Sequence, residues 1–261
     1  MKEKIGSLSN EDIREIHEDY NKHISDGEVR ENTGILVVLD VLGWKNNVHP
    51  QDITVYFSLI NQLRSSLLDT CLRCAPKDIK PNVRIATLSD TIAVLIDKDY
   101  PYCQVNIFGH ISKFITNALE QGIMFRGAMS WGTYYTNNLD NSFVGQPFYE
   151  AAGIAEKVDW AGVIITDSLA NELLRENNLE DLTKIGVIQY NNIPFKKGFA
   201  TEHKLVLIPD RPVTYKAPTW KKEYFDFISA YRPLMRGQQQ KLNNTVAFFE
   251  YLKEKIWLDE K

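Results

Sequence analysis

Asp40 and Asp90 are the residues in this sequence whose type and position most directly suggest chemistry. Residues 34–39 (Gly-Ile-Leu-Val-Val-Leu) form a continuous apolar run rich in β-branched side chains, the pattern of a central strand buried on both faces. That run ends on Asp40. Residues 83–88 and 91–96 are two further β-like runs separated only by Ser89-Asp90, a spacing that predicts a tight hairpin even though the usual turn glycine is missing. Asp90 then sits at the hairpin tip. If the strands are neighbours the two carboxylates converge, and a cation best relieves their repulsion. Mg2+ or Mn2+ suits two carboxylates, and two such ions would activate an attacking hydroxyl and neutralise a triphosphate. The alternative is two unrelated strand-end aspartates that cap a turn and a helix. On the metal reading, Asp40→Ala or Asp90→Ala removes a repulsive neighbour and leaves the fold intact or slightly more stable.

Arg126 lies inside an apolar strand pattern, where a guanidinium needs a carboxylate, phosphate or carbonyl partner. It could meet a triphosphate or base edge, or pair with Glu150 or Glu156 in the core. Arg84 alternates on the strand leading to Asp90 and faces either the same cleft or solvent. Trp44, Tyr134, Tyr135, Phe148 and Tyr149 are read as core or dimer packing ahead of base stacking. Cys71 and Cys74 form a C-x-x-C, but Cys103 is the one other cysteine and no histidines have paired ligand spacing. The pair closes an apolar-periodic stretch instead of opening a helix, so it is read as helix-end packing.

The elements that must hold these residues follow from periodicity. Residues 1–33 are polar and helix-like around 12–23, an N-terminal appendage. After the first strand, 53–72 has helical spacing, 102–120 forms a second helix closed by Gly122, and 123–135 is a long strand. Residues 145–160 contain a helix that starts near Pro147. Short strands at 163–166, 185–190 and 204–208 bracket a helix at 168–176. The order β-α-β-β-α-β with later additions predicts a ferredoxin-like α+β sandwich over 34–210, followed by a C-terminal helical extension over 211–261.

The bulk properties exclude several alternatives. At 261 residues, 44% hydrophobic and 25% charged, the chain can bury one sizeable core. A formal charge of −4 lacks the basic excess of a protein that tracks nucleic acid. No apolar run approaches the roughly 20 residues of a membrane span, and the first twenty residues are charged where a signal peptide would be apolar. Three cysteines suit a reducing compartment, so the expected location is cytoplasmic.

Four segments, in order, resemble the class III adenylate and guanylate cyclases. Leu39-Asp40-Val41-Leu42-Gly43-Trp44 is similar to their first metal motif and Leu88-Ser89-Asp90 to their second. Phe125-Arg126-Gly127-Ala128-Met129-Ser130-Trp131-Gly132 is similar to the strand that runs into a glycine. Phe143-Val144-Gly145-Gln146-Pro147-Phe148-Tyr149-Glu150-Ala151-Ala152 is similar to the dimer arm and helix that follow. The resemblance implies two metal ions on Asp40, Asp90 and the Val41 backbone, with Val41, Leu42, Gly43, Trp44 and Lys45 near the phosphates. It likewise implies a triphosphate cation in the late Pro194-Phe195-Lys196-Lys197-Gly198 element, for which Lys197 is the choice. It implies a homodimer with composite sites as well.

The departures narrow the expectation. Where purine cyclases carry a lysine and an aspartate that read the base, this chain has Ala86 and Ser142. Where they supply an asparagine and an arginine to the transition state, it has Tyr149 and Gly153. This altered set resembles the pyrimidine cyclases of the bacterial anti-phage system Pycsar. The expected activity is therefore conversion of UTP or CTP to a 3',5'-cyclic nucleotide and pyrophosphate as a defence signal, with Tyr149, Arg84 and Arg126 available to read a pyrimidine. A purine cyclase, a silent nucleotide-binding sensor, and a diguanylate cyclase or polymerase palm remain as other readings; the last lacks its Gly-Gly-Asp/Glu-Glu-Phe signature here.

Overall fold

The computed structural model describes residues 29–43, 50–74, 83–98, 101–137, 142–176, 178–199, 204–209 and 236–257. The expected helix at 12–23 and the part of the expected C-terminal extension over 211–235, together with Trp44 and Lys45, lie outside the described residues. The first half of the chain forms β1 (Val29–Val41), α1 (Pro50–Cys74), β2 (Val83–Leu88), β3 (Thr91–Asp97), α2 (Pro101–Glu120) and β4 (Phe125–Asn137). These strands lie in the order β2-β3-β1-β4, all antiparallel, which is the ferredoxin-like arrangement expected of the βαββαβ order. Then follow β5 (Phe143–Gly145), α3 (Gln146–Ala155), β6 (Val163–Ile165), α4 (Asp167–Glu176), α5 (Leu179–Lys184), β7 (Val187–Gln189), β8 (Leu205–Leu207) and α6 (Arg236–Leu252), with a π-helical turn at Lys253–Trp257. Strand β6 joins β4 in parallel and continues the sheet through β8 to β7, while β5 pairs with the far end of β4.

One boundary and one helix differ notably from the sequence reading. Strand β1 begins at Val29, so residues 29–33, assigned to the N-terminal appendage because they are polar, belong to the sheet. Their polarity is absorbed across strands. Asn32 Nδ2 donates to Thr136 Oγ1 at 3.1 Å in a buried contact, and Tyr135 donates its hydroxyl to Glu31 Oε2 at 2.9 Å. Helix α5 was not anticipated, and it is capped by the Asn178 side chain accepting from the Asp181 N–H at 2.9 Å.

The sheet separates two layers. Because β1 and β4 pair in unbroken register over thirteen residues, alternate β4 side chains fall on opposite faces. Phe125 points to α1 and α2, where its ring lies 6.2 Å from Tyr56 and 4.9 Å from Phe114. Ser130, five residues on, meets α3 on the other side and donates to the Pro147 carbonyl at 2.7 Å. Helix α6 packs into this second layer through buried Leu242, Val246, Phe248 and Phe249, with Phe248 edge-on to Trp160 at 4.2 Å.

Gly127 shows how tightly the two central strands meet. A Cβ there would collide with the Val38 carbonyl oxygen and lie 2.6 Å from the Leu39 side chain. Gly109 in α2 has nothing within 4 Å of the same position. Gly127→Ala is expected to lower stability by about 2 kcal/mol or more through overpacking, and Gly109→Ala to raise it by about 0.5–1 kcal/mol by restricting the unfolded helix. Urea unfolding midpoints check both, and equal midpoints for the two variants would contradict the packing.

Candidate active site

The pairing register builds the site. Asp40 stands opposite Thr91 on one side and opposite Arg126 on the other, so the end of β1 lies between the start of β3 and the start of β4. The hairpin connecting β2 to β3 is the two-residue turn Ser89-Asp90, and Ser89 takes the left-handed conformation (φ 57°) that a glycine would otherwise supply. Tyr56 of α1 donates its hydroxyl to the Ser89 carbonyl at 3.1 Å and pins the tip. Val41 N–H donates to the Asp90 carbonyl at 3.3 Å, which brings the two aspartates to one sheet edge. The Tyr56 hydroxyl is pushed up to about 12 by burial first and then by the charges of Asp90 and Asp40.

Arg126 binds Asp40. Its Nη2 and Nε donate to Asp40 Oδ2 at 2.6 and 3.0 Å, and its Nη1 donates to the carbonyls of Glu156 and Val158 at 2.9 and 3.0 Å. Its core partner is therefore neither the Glu150 nor the Glu156 side chain. Glu150 accepts from Ser168 Oγ at 2.6 Å, and Glu156 contributes its backbone. The strand order explains this, because β4 lies beside β1 and presents Arg126 directly across from Asp40. Burial raises the Asp40 carboxyl above its usual range; the Arg126 hydrogen bond and charge oppose that shift, Asp90 adds to it and Lys196 opposes it.

The segment 156–161 that caps Arg126 positions two more cations. Val158 bridges to Phe195, and Lys196 N–H donates to the Lys157 carbonyl at 2.9 Å, so the 194–198 turn is laid against it. Asn244 of α6 donates to the Asp159 carbonyl at 2.8 Å, and the Ala161 N–H donates to Thr245 Oγ1 at 2.8 Å. Lys196 and Lys241 are thereby brought to a cleft of about 450 Å³ whose other walls include Asp40, Asp90, Arg126 and Gly43. The cleft sets the acids Asp40, Asp90 and Glu156 beside the cations Arg126, Lys196 and Lys241.

Of the residues nominated from sequence, Asp40, Val41, Gly43, Asp90 and Arg126 line this cleft. Gly43 turns the chain out of β1 with φ 80°. Leu42 is buried and donates its N–H to the Met124 carbonyl at 2.8 Å. Leu42 is not part of the cleft lining, and three further nominated residues do not come to the cleft. Lys197 is exposed on the turn, and its neighbour Lys196 takes the inward position because the bridge to Val158 fixes the orientation of the turn. Arg84 donates to the Asn137 carbonyl at 3.2 Å, at the opposite end of the sheet from Asp90. Tyr149 is 61% exposed and packs edge-on to Phe148. Lys241, Glu156 and Tyr56 were not anticipated as site residues. Lys241 precedes an ordinary amphipathic run, and nothing in that pattern marks it.

The donor chemistry suits a hard divalent cation. Both Arg126 contacts fall on Oδ2 of Asp40, leaving Oδ1, and the Asp90 carboxylate has no hydrogen bond or ion pair among the described residues. No third Asp, Glu, His or Cys completes a metal-binding group among the described residues, so any ion held here would draw its remaining ligands from backbone, water or phosphate oxygens. No described helix is long and apolar enough to cross a membrane.

No protein-family model and no curated protein matches this chain. Among solved structures, it is similar to the adenylyl cyclase CyaB from P. aeruginosa, at 11% identity and a TM-score of 0.42, over 71% of this chain and 98% of that one. It is also similar to the catalytic core of a rhodopsin-guanylyl cyclase with converted specificity in complex with ATPalphaS, at 13% identity and a TM-score of 0.41, over 69% and 98%.

The ion pair corrects the stability expectation for Asp40. Asp40→Ala leaves a guanidinium that is only 11% exposed with two carbonyls and no carboxylate, and it is expected to cost about 2–4 kcal/mol. Asp90→Ala removes only a like charge and is expected to leave stability unchanged or slightly raised. Denaturation in EDTA distinguishes the two, and equal stability of both variants would contradict the pairing.

Proposed function

We propose that this chain is a metal-dependent nucleotide cyclase acting on a nucleoside triphosphate, with UTP or CTP as substrate. The observation that carries the reading is the convergence of Asp40 and Asp90 on one sheet edge, facing Arg126, Lys196 and Lys241 across a single cleft. Acidic oxygens beside a cationic wall match the demands of a metal-bound triphosphate. Support comes also from the cyclase-like motifs, since the two that carry the aspartates and the strand that carries Arg126 meet in this cleft.

In this mechanism Asp40, Asp90 and the Val41 backbone would hold Mg2+ or Mn2+, in two sites, and such ions would supply activation of the ribose 3'-hydroxyl and charge neutralisation at the phosphates. Arg126 fixes the Asp40 carboxylate through Oδ2 and would leave Oδ1 for the metal. Gly43, without a side chain, lets the phosphate chain approach the backbone. The 3'-oxygen forms a bond to the α-phosphorus as the bond to the bridging oxygen breaks, pyrophosphate leaves with that electron pair, and the hydroxyl proton passes to solvent. Lys196 offsets the charge that gathers on the departing pyrophosphate.

The pyrimidine preference is supported by Ala86 and Ser142, which replace the lysine and aspartate of purine cyclases. Neither Arg84 nor Tyr149 faces the cleft of its own chain, so a homodimer is part of the proposal: Tyr149 and half-exposed Val144 lie on the β5–α3 surface that a second subunit would cover. Resemblance to the anti-phage enzymes extends the proposal to a defence signal. A second reading, nucleotide binding without turnover, is favoured by the occupation of Asp40 Oδ2 by Arg126.

Incubation with each of the four ribonucleoside triphosphates and Mn2+, followed by mass spectrometry, is expected to yield cyclic UMP or cyclic CMP with pyrophosphate. Asp40→Ala and Asp90→Ala are each expected to reduce turnover at least about 100-fold. Absence of any cyclic product favours the silent binder, and faster cyclisation of ATP or GTP overturns the base assignment alone. Light scattering at micromolar concentration is expected to give a dimer mass; a fully active monomer contradicts the composite site.

A further inference from the structure

We propose that Lys241 binds the phosphate chain of the nucleotide, which makes α6 a wall of the active site and not only a packing element. The inference rests on the nucleotide reading of the same cleft. It begins from how the cations are occupied. Arg126 spends its donors on Asp40 and two carbonyls, whereas Lys196 and Lys241 form no ion pair among the described residues. Lys241 is half-buried at the cleft, where burial first, and then Arg126 and Lys196, disfavour its charge while Asp159 and Asp40 favour it. Such an arrangement is stabilised by an anion carrying several negative oxygens, and a phosphate chain supplies them.

The helix holds Lys241 in place. Leu242, the next residue, is fully buried, and Thr245, one turn on, accepts from the Ala161 N–H while donating back to the Lys241 carbonyl at 2.8 Å. Asn244 fastens the same turn to Asp159. Phe248 packs against the stacked rings of Trp160 and Tyr190, at 4.2 and 4.9 Å from them, and Tyr251 donates its hydroxyl to the Gln189 carbonyl at 2.9 Å. Held so, the ammonium meets a triphosphate with little further loss of backbone freedom, and a compact point charge tolerates the changing geometry of phosphates better than a planar fork.

The probe is inorganic tripolyphosphate with Mg2+, titrated calorimetrically into the full chain and its variants. Lys241→Met is expected to weaken binding about 10- to 100-fold, Lys241→Arg to recover most of it, and Lys255→Met, on an exposed position of the same helical segment, to change nothing. In cyclisation, Lys241→Met is expected to raise KM. A second measurement needs no variant: tripolyphosphate is expected to protect Lys241, but not Lys255, from amine acylation read by mass spectrometry. Tripolyphosphate binding by Lys241→Met at wild-type affinity, or equal acylation of Lys241 with and without the anion, overturns the inference. If the wild-type chain yields no cyclic product, the cyclase reading falls, while the tripolyphosphate measurements still decide Lys241.

Discussion

The cross-strand ion pair between Asp40 and Arg126 is the interaction on which the rest of the site depends. Both groups lie on neighbouring central strands, at the end of the sheet where Asp90 also sits, and burial of either alone would be costly. The pair satisfies part of the guanidinium, whose remaining donors require acceptors that β-strands cannot offer because their carbonyls are committed to the ladder. They are found in the chain just past α3, at the carbonyls of Glu156 and Val158. That requirement places residues 156–161 against the sheet edge, and the turn bearing Lys196 and the helix bearing Lys241 attach to the same segment.

The electrostatics follow from this arrangement. Asp40 is disfavoured as an anion by burial and, to a smaller extent, by Asp90, and Arg126 and Lys196 counter that tendency. The cluster is thus neither an isolated pair of acids nor a plain basic pocket. Each sign is needed to retain the other at partial burial, and a ligand bearing both a cation and phosphates inserts without leaving a charge unmatched.

Part of this was legible in the sequence. An apolar β-branched run ending on Asp40 and a two-residue break ending on Asp90 need only pattern to be recognised, and the βαββαβ order places β4 beside β1. From that order the Asp40–Arg126 pair was within reach, but it needed the register as well as the neighbour relation, and the sequence left Arg126 open between a triphosphate or base edge and the glutamates nearer in sequence. Residues 29–33 were misjudged because side chains polar enough for solvent are satisfied by a partner strand more than a hundred residues away. Lys196 and Lys197 are indistinguishable by composition; a single bridge between Val158 and Phe195 decides which faces inward. Lys241 carries no local signal, since its position depends on where an entire helix docks.

The attachment of α6 to residues 159–161 has a consequence for the order in which this protein comes into being. During synthesis the strands bearing Asp40, Asp90 and Arg126 emerge first and can pair while the chain beyond them is still unmade. The acidic edge is then protected by Arg126 alone, and the wall that faces it closes only when a segment from far along the chain returns to a place prepared long before. Such a distant contact is slow to form and rewards the chain only at the end. A ribosome-bound chain that has not yet released α6 therefore carries an acidic edge without its complete basic wall, so binding competence trails the completion of the sheet.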